Sequence, residues 1–169
     1  ELLVMNLVGV KKMEEGILKT EAEDFAAADL LHGLDWLAKE AALEKKALRL
    51  QDDDKLTIHS DQDLLGRVLE NLIDNAIKHT GHDGQVTLKV SAEHDQVLFE
   101  VTDNGEGIPA ENLERIFESF TSLPGQKAKT SPGLGLAYCR LAVRALGGEI
   151  RVGSAVGRGS RFYFSLRRG

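Results

Sequence analysis

The stretch DQDLLGRVLENLIDNAIKHT, Asp61 to Thr80, decides the reading of the fold. At about 100° per residue, Leu65, Leu69, Leu72, Ile73 and Ala76 share one side of a helix, an apolar stripe wide enough to bury against a sheet. Asn71, Asn75 and Lys78 stand at i, i+4 and i+7 and line a second edge, one turn apart. Two amides and an ammonium beside a buried face suit a ligand carrying phosphates and a hard cation. Mg²⁺ takes oxygen ligands, keeps several waters and uses only one or two protein groups. An amide carbonyl can be one of these, and a lysine meets phosphate as a point charge. The plainer reading is a solvated face with two incidental asparagines, because amides are common on exposed helix surfaces.

Composition narrows the classes. The 169 residues fit one domain with room for an appended segment, and 42% hydrophobic content is enough for a core. A net charge of −6, with no cluster of lysine and arginine, argues against nucleic acid as a partner. The single Cys139 rules out an intrachain disulfide and suits a reducing compartment. No apolar run approaches the length of a membrane span, and no signal-peptide pattern is present, so the expected compartment is the cytoplasm. The chain opens at Glu1 without methionine and is read as a piece of a longer protein, whose other parts decide whether the whole is membrane-anchored.

Leu3, Leu7, Val10 and Ile17 recur at near-heptad spacing, which predicts a helix packed in a seam over residues 1–19. Residues 20–28, acidic and rich in alanine, read as a linker, and 29–169 as the main domain. Asp29 is placed to cap a helix running to Ala47. Short strands are expected at Leu48–Gln51 and Leu56–His59, and the aspartates between them as a solvated turn. His32 has no acidic, cysteine or histidine neighbour at metal-site spacing and reads as a surface histidine.

Beyond the central helix, Val86–Ala92 and Gln96–Thr102 alternate and predict an antiparallel hairpin. Its second strand runs into Asp103-Asn104-Gly105-Glu106-Gly107-Ile108-Pro109, where a carboxylate at a strand end precedes two glycines that let backbone approach a ligand closely. A buried carboxylate needs specific donors, such as the amino group of adenine. A helix is expected at Ala110–Phe120, then a lid-like loop at Thr121–Pro132, rich in glycine, proline and lysine. Gly133-Leu134-Gly135-Leu136 opens a further helix whose exposed N–H groups suit phosphate. Strands at Glu149–Ser154 and Ser160–Leu166 complete about five strands and three principal helices, which predicts an α+β, two-layer sandwich with a mixed sheet and the helices on one face.

Five boxes in order resemble the catalytic ATP-binding domain of sensor histidine kinases, in the superfamily that includes gyrase, Hsp90 and MutL. Asn71–Lys78 looks like the N box, Asp103–Pro109 the first glycine box and Glu114–Phe120 the F box. Gly133–Leu136 looks like the second glycine box and Gly157–Ser160 the third. The resemblance implies ATP and Mg²⁺ as cofactors, with Asn75 on the metal. It implies Asn71 positioning the metal, its water or phosphate, and Lys78 contacting phosphate as the second catalytic residue. Asp103 would accept a hydrogen bond from the adenine amino group. His79, Gly105, Gly107, Ile108, Gly133, Leu134, Gly135, Leu136 and Ser160 would shape the nucleotide pocket, and Lys127 or Lys129 of the lid would reach the γ-phosphate. Two positions depart from the family pattern: Ser131 stands where a further glycine is common, and His79 where an aromatic residue is common.

The family's phosphoacceptor histidine is followed by an acidic residue and, shortly after, proline, and none of His32, His59, His79, His82 or His94 has that setting. The implied partners are therefore a histidine-bearing dimerisation domain of the same protein, with residues 1–19 the end of its second helix, and the receiver domain of a response regulator. The full protein is expected to be a homodimer. Related ATPases and serine kinases carry glutamate at the position of Asn71, since a carboxylate takes a proton and an amide does not. A nucleotide-binding regulatory module without catalysis is the remaining alternative.

Overall fold

The computed structural model describes residues 2–119 and 133–168. Five strands form one mixed sheet in the order β2-β4-β5-β7-β6: β2 (Ala47–Asp52), β4 (Gln85–Glu93), β5 (Gln96–Asp103), β6 (Arg151–Ser154) and β7 (Ser160–Arg167). Only the β2–β4 pair is parallel. Alternation along the strands produces continuous cross-strand rows. Leu50, Leu88, Val101, Phe162 and Val152 form one row across all five strands. Val90, Phe99 and Phe164 lie in the next, and the Phe99 and Phe164 rings stack at 4.9 Å. The opposite face carries Lys89, Glu100, Arg161 and Tyr163, with Arg161 Nε donating to Glu100 at 2.7 Å. One face is thus apolar and covered, and the other polar.

The long helix α4 (Gln62–His79) lies against the apolar face. Asp61 caps it by accepting from the Leu64 N–H at 2.9 Å. Leu65, Leu69, Leu72, Ile73 and Ala76 are all buried, as their spacing predicts. The helix α5 (Gly135–Ala145) packs beside α4 and buries Ala137, Tyr138, Cys139, Ala142 and Val143. The α+β architecture with a five-stranded mixed sheet is the expected one.

Three local expectations are corrected. The run 20–28, expected as a linker, contains β1 (Glu23–Ala26), which pairs antiparallel with β3 (Thr57–Ser60) in a separate two-stranded sheet and buries Phe25 opposite Ile58. Four residues are too few to show alternation, and the strand is held by a partner more than thirty positions away. The helix expected from Asp29 to Ala47 is two helices, α2 (Ala27–His32) and α3 (Asp35–Leu43), separated at Gly33–Leu34. Ala110–Phe120 is not one helix: its described part holds two short 3₁₀ turns, Ala110–Asn112 and Arg115–Phe117. Phe117 there meets Phe162 edge-on at 6.2 Å, so a tertiary contact shapes the segment. The helix expected over residues 1–19 is present as α1 (Leu2–Glu14), which buries only Asn6 and Val10 and leaves Leu3 and Leu7 exposed. Ile17 lies beyond its end and is also exposed.

Candidate functional site

The site begins with the parity of β5. Val97, Phe99 and Val101 face the core, so Asp103, two residues on, points to the same helix-covered side. It occupies the terminal row of the sheet, paired with Val86 on one side and Ser160 on the other. Its Oδ1 accepts from the Gly105 N–H at 2.8 Å, and the Ser160 N–H also donates to the carboxylate. A carboxylate offers about four acceptor positions, so capacity remains for a ligand's donor. Burial is the largest influence on this carboxyl and raises its pKa, offset in part by those two N–H groups and by His79.

The first glycine box and the β6–β7 turn are locked together. Ile108, half-buried, donates its N–H to Ser154 Oγ at 2.8 Å, and that hydroxyl also bonds the Gly159 carbonyl and Ser160 Oγ, each at 2.8 Å. Gly157 donates to the Glu106 carbonyl at 2.7 Å. At Gly107, φ is +74° and a Cβ would stand 2.0 Å from the Ala155 carbonyl oxygen, so no other residue fits. Ser160 therefore acts through its backbone on Asp103 and through its hydroxyl on Ser154. Ser154 was missed by sequence reasoning; its place at the end of a strand opposite a glycine box was the available signal.

On α4 the three expected polar residues have different surroundings. Asn75 is half-buried, and its side chain makes no hydrogen bond among the described residues. Lys78 pairs with Asp74 at 2.8 Å on an exposed edge. Asn71 is buried, which corrects its placement on an open polar stripe. Its Nδ2 donates to the Arg67 carbonyl at 2.8 Å and to Asn6 Oδ1 at 3.1 Å, and its Oδ1 accepts from Asn6 Nδ2 at 2.7 Å. The cause is α1, which lies over it. Sequence reasoning also missed Asn6, because no spacing rule links it to a residue 65 positions away.

The second glycine box meets the N box directly: a Cβ on Gly135 would stand 3.2 Å from Asn71 Oδ1. Leu134 is buried and precedes α5, which starts without a side-chain cap, and Leu136 packs against the core. His79 reaches Glu106 with Nδ1 to Oε1 at 3.4 Å, and its carbonyl accepts the Glu106 N–H at 3.4 Å. The structure thus joins Asp103, Gly105, Gly107, Ile108 and Ser160 to His79 at one end of α4, and Asn71 to Gly135. Ser131 and the lid Thr121–Pro132, including Lys127 and Lys129, lie outside the described residues, as does Phe120.

These residues fit a nucleotide in their donor chemistry. A half-buried carboxylate with spare acceptor positions suits a base amino group, and an amide carbonyl and an ammonium on the same helix suit metal and phosphate. No group of three or more metal-binding acids, histidines or cysteines exists among the described residues, so a cation held here would need oxygens from its own ligand. A cavity of roughly 400 Å³ between Leu18–Glu23 and the start of α4 lies apart from the glycine boxes and from Asp103.

A mixed five-stranded sheet under α4 and α5, with an aspartate closing its third strand and glycine turns around it, defines an ATPase-type α+β sandwich. The chain belongs to the family of histidine kinase-, DNA gyrase B- and HSP90-like ATPases, whose model matches residues 60–169. It is similar to the alginate biosynthesis sensor protein KinB of Pseudomonas aeruginosa, at 35% identity over 98% of this chain and 28% of KinB. Among solved structures it is similar to full-length ShkA in complex with AMPPNP, with a TM-score of 0.85 and 27% identity over 97% of this chain and 35% of ShkA. It is also similar to the histidine kinase ThkA in complex with response regulator protein TrrA, with a TM-score of 0.77 and 25% identity over 99% of this chain and 48% of ThkA. The chain spans less than half the length of each of these relatives.

Proposed function

We propose that this chain is the ATP-binding catalytic domain of a two-component sensor histidine kinase. It would bind Mg-ATP between α4, α5 and the end of β5, and donate the γ-phosphate to a histidine on a dimerisation domain, for relay to a response regulator. Asp103 carries the reading: a half-buried carboxylate at the end of a core strand, steadied by two backbone N–H groups and facing the helices. It accepts the adenine amino hydrogen. Asn75 offers a carbonyl oxygen to Mg²⁺, and Lys78 exchanges its exposed bond to Asp74 for phosphate. Gly133, Leu134, Gly135 and Leu136 present the α5 N-terminus to the phosphates.

Bound there, Mg-ATP supplies a transferable phosphoryl group, and the protein's share is positioning and charge neutralisation. Asn71, an amide, cannot serve as general base, which suits transfer to a histidine rather than to water. In the whole protein α1 would be the end of the second dimerisation helix and the assembly a homodimer, with this domain in the cytoplasm. No helix among the described residues is long and apolar enough to cross a membrane.

The test is calorimetry of Mg-ATP binding to the native chain and to Asp103→Asn, followed by transfer of labelled phosphate to an added histidine-bearing dimerisation domain. The expected result is binding that Asp103→Asn weakens by roughly ten- to a hundredfold, the weight of a hydrogen bond to a charged group, and label on histidine. Native-chain binding indifferent to Asp103 would refute the site, and binding without transfer would refute the kinase activity.

A further inference from the structure

The Asn6–Asn71 pair has the form of a switch. Each amide donates to and accepts from the other, at 2.7 and 3.1 Å, and the second N–H of Asn71 is taken by the Arg67 carbonyl. Both donors of Asn71 are therefore occupied, and Asn6 also donates to its oxygen. A phosphate oxygen that accepts from the Asn71 amide on the side facing α1 has to displace Asn6.

The rest of the α1 contact is shallow. Of the thirteen residues of α1, only Asn6 and Val10 are buried, while Leu3, Val4, Met5, Leu7 and Val8 stay exposed. The helix docks by a narrow side, with Lys11, Lys12 and Glu14 also left exposed. Gly9 sets the approach, since a Cβ there would fall 2.4 Å from the ring of the buried Tyr138. Asn6, Gly9, Val10 and Met13, at i, i+3, i+4 and i+7, form the docking stripe, with Val10 in the core and Met13 packed against it. Asn6 is the polar member of that stripe, and water replaces both of its hydrogen bonds to Asn71 when the helix leaves.

We propose that Asn6 holds Asn71 out of use, so that docking of α1 and engagement of the Mg²⁺-bound phosphates of a nucleotide at Asn71 exclude one another. Asn6 is then a positioning residue acting through Asn71. The proposal rests on the nucleotide reading above. Undocking α1 raises the fraction of molecules whose Asn71 is available and so the apparent affinity, and by linkage the nucleotide undocks α1 to the same degree.

The test compares the native chain with Asn6→Ala, which deletes the partner amide, and Gly9→Leu, which drives the helix off Tyr138. Calorimetry with Mg-AMPPNP is set beside AMP, which has the base and lacks the later phosphates. Amide hydrogen exchange follows α1, and the side-chain NH₂ signal of Asn71 follows the pair. Both variants are expected to bind Mg-AMPPNP about five- to tenfold more tightly, the scale of two modest hydrogen bonds, with AMP affinity unchanged. In the native chain Mg-AMPPNP should speed exchange in α1 and shift the Asn71 signal. Unchanged Mg-AMPPNP affinity in both variants, or slower exchange in α1 on binding, would overturn the exclusion while leaving nucleotide binding intact. A native chain that binds neither AMP nor Mg-AMPPNP would overturn the nucleotide reading and this proposal together.

Discussion

A Cβ built on Gly159 would stand 1.9 Å from the carbonyl oxygen of Asp103, so the backbone of the β6–β7 turn lies directly against the residue expected to hold the base. With φ at +74°, Gly159 also has a conformation that side chains disfavour. Gly159→Ala combines both penalties and should destabilise the domain by about 2 kcal/mol or more. Urea denaturation checks this, and a midpoint equal to that of the native chain would show that the turn can move away.

Ser154 ties Ile108, Gly159 and Ser160 through one hydroxyl. Ser154→Ala leaves the Ile108 N–H without its partner, at a cost of about 1–3 kcal/mol. Because that N–H belongs to the first glycine box, nucleotide affinity should fall several-fold as well. Ser154→Thr, which keeps the hydroxyl, should recover most of both, as read by denaturation and calorimetry.

Acid should weaken nucleotide binding above the ordinary aspartate range. Burial, as the largest cause, raises the Asp103 pKa from its usual 3.8. The folded state then binds more protons than the unfolded between 3.8 and the raised value. This group's contribution to stability is therefore most favourable below 3.8 and declines as pH rises through the folded value. Base recognition runs the other way, since acceptance needs the ionised form. Affinity should drop as pH falls through the raised value, and Asp103→Asn should flatten that slope. Calorimetry across a pH series gives the answer; a native profile flat down to 3.8 would contradict it.

Lys78 and Asp74 form an exposed i, i+4 pair. Such pairs contribute little, so Lys78→Ala should change stability by no more than about 0.5 kcal/mol. Its effect on Mg-ATP affinity should be larger, roughly tenfold, because a charge facing phosphate is lost. AMP binding should change less than ATP binding. Equal losses for the two nucleotides would place Lys78 away from the outer phosphates.

The core is most exposed to damage at the stacked aromatic pair. Phe99 is buried in the central strand with its ring 4.9 Å from Phe164. Phe99→Ala should cost about 3–5 kcal/mol in a denaturant titration. Glu100→Gln, one residue on and facing the polar side, should cost much less despite losing its charge on Arg161.

What the sequence determined by itself was whatever follows from backbone period. The 3.6-residue stripe of α4 places Leu65, Leu69, Leu72, Ile73 and Ala76 in the core, and the two-residue alternation of β5 carries Asp103 to the same side as Phe99 and Val101. Those two periods, with glycine at its marked turns, located the sheet, the main helices and the end of β5 where the site lies. Tertiary structure alone decided the rest. It paired β1 with β3, broke the α2–α3 run at Gly33, reduced the segment after Pro109 to two 3₁₀ turns, set Ser154 against Ile108, and laid Asn6 over Asn71. Each of these contacts joins groups far apart in the chain, or depends on a short segment yielding to its neighbours. A local spacing rule orients a side chain on its own element; which distant side chain meets it depends on how the elements pack.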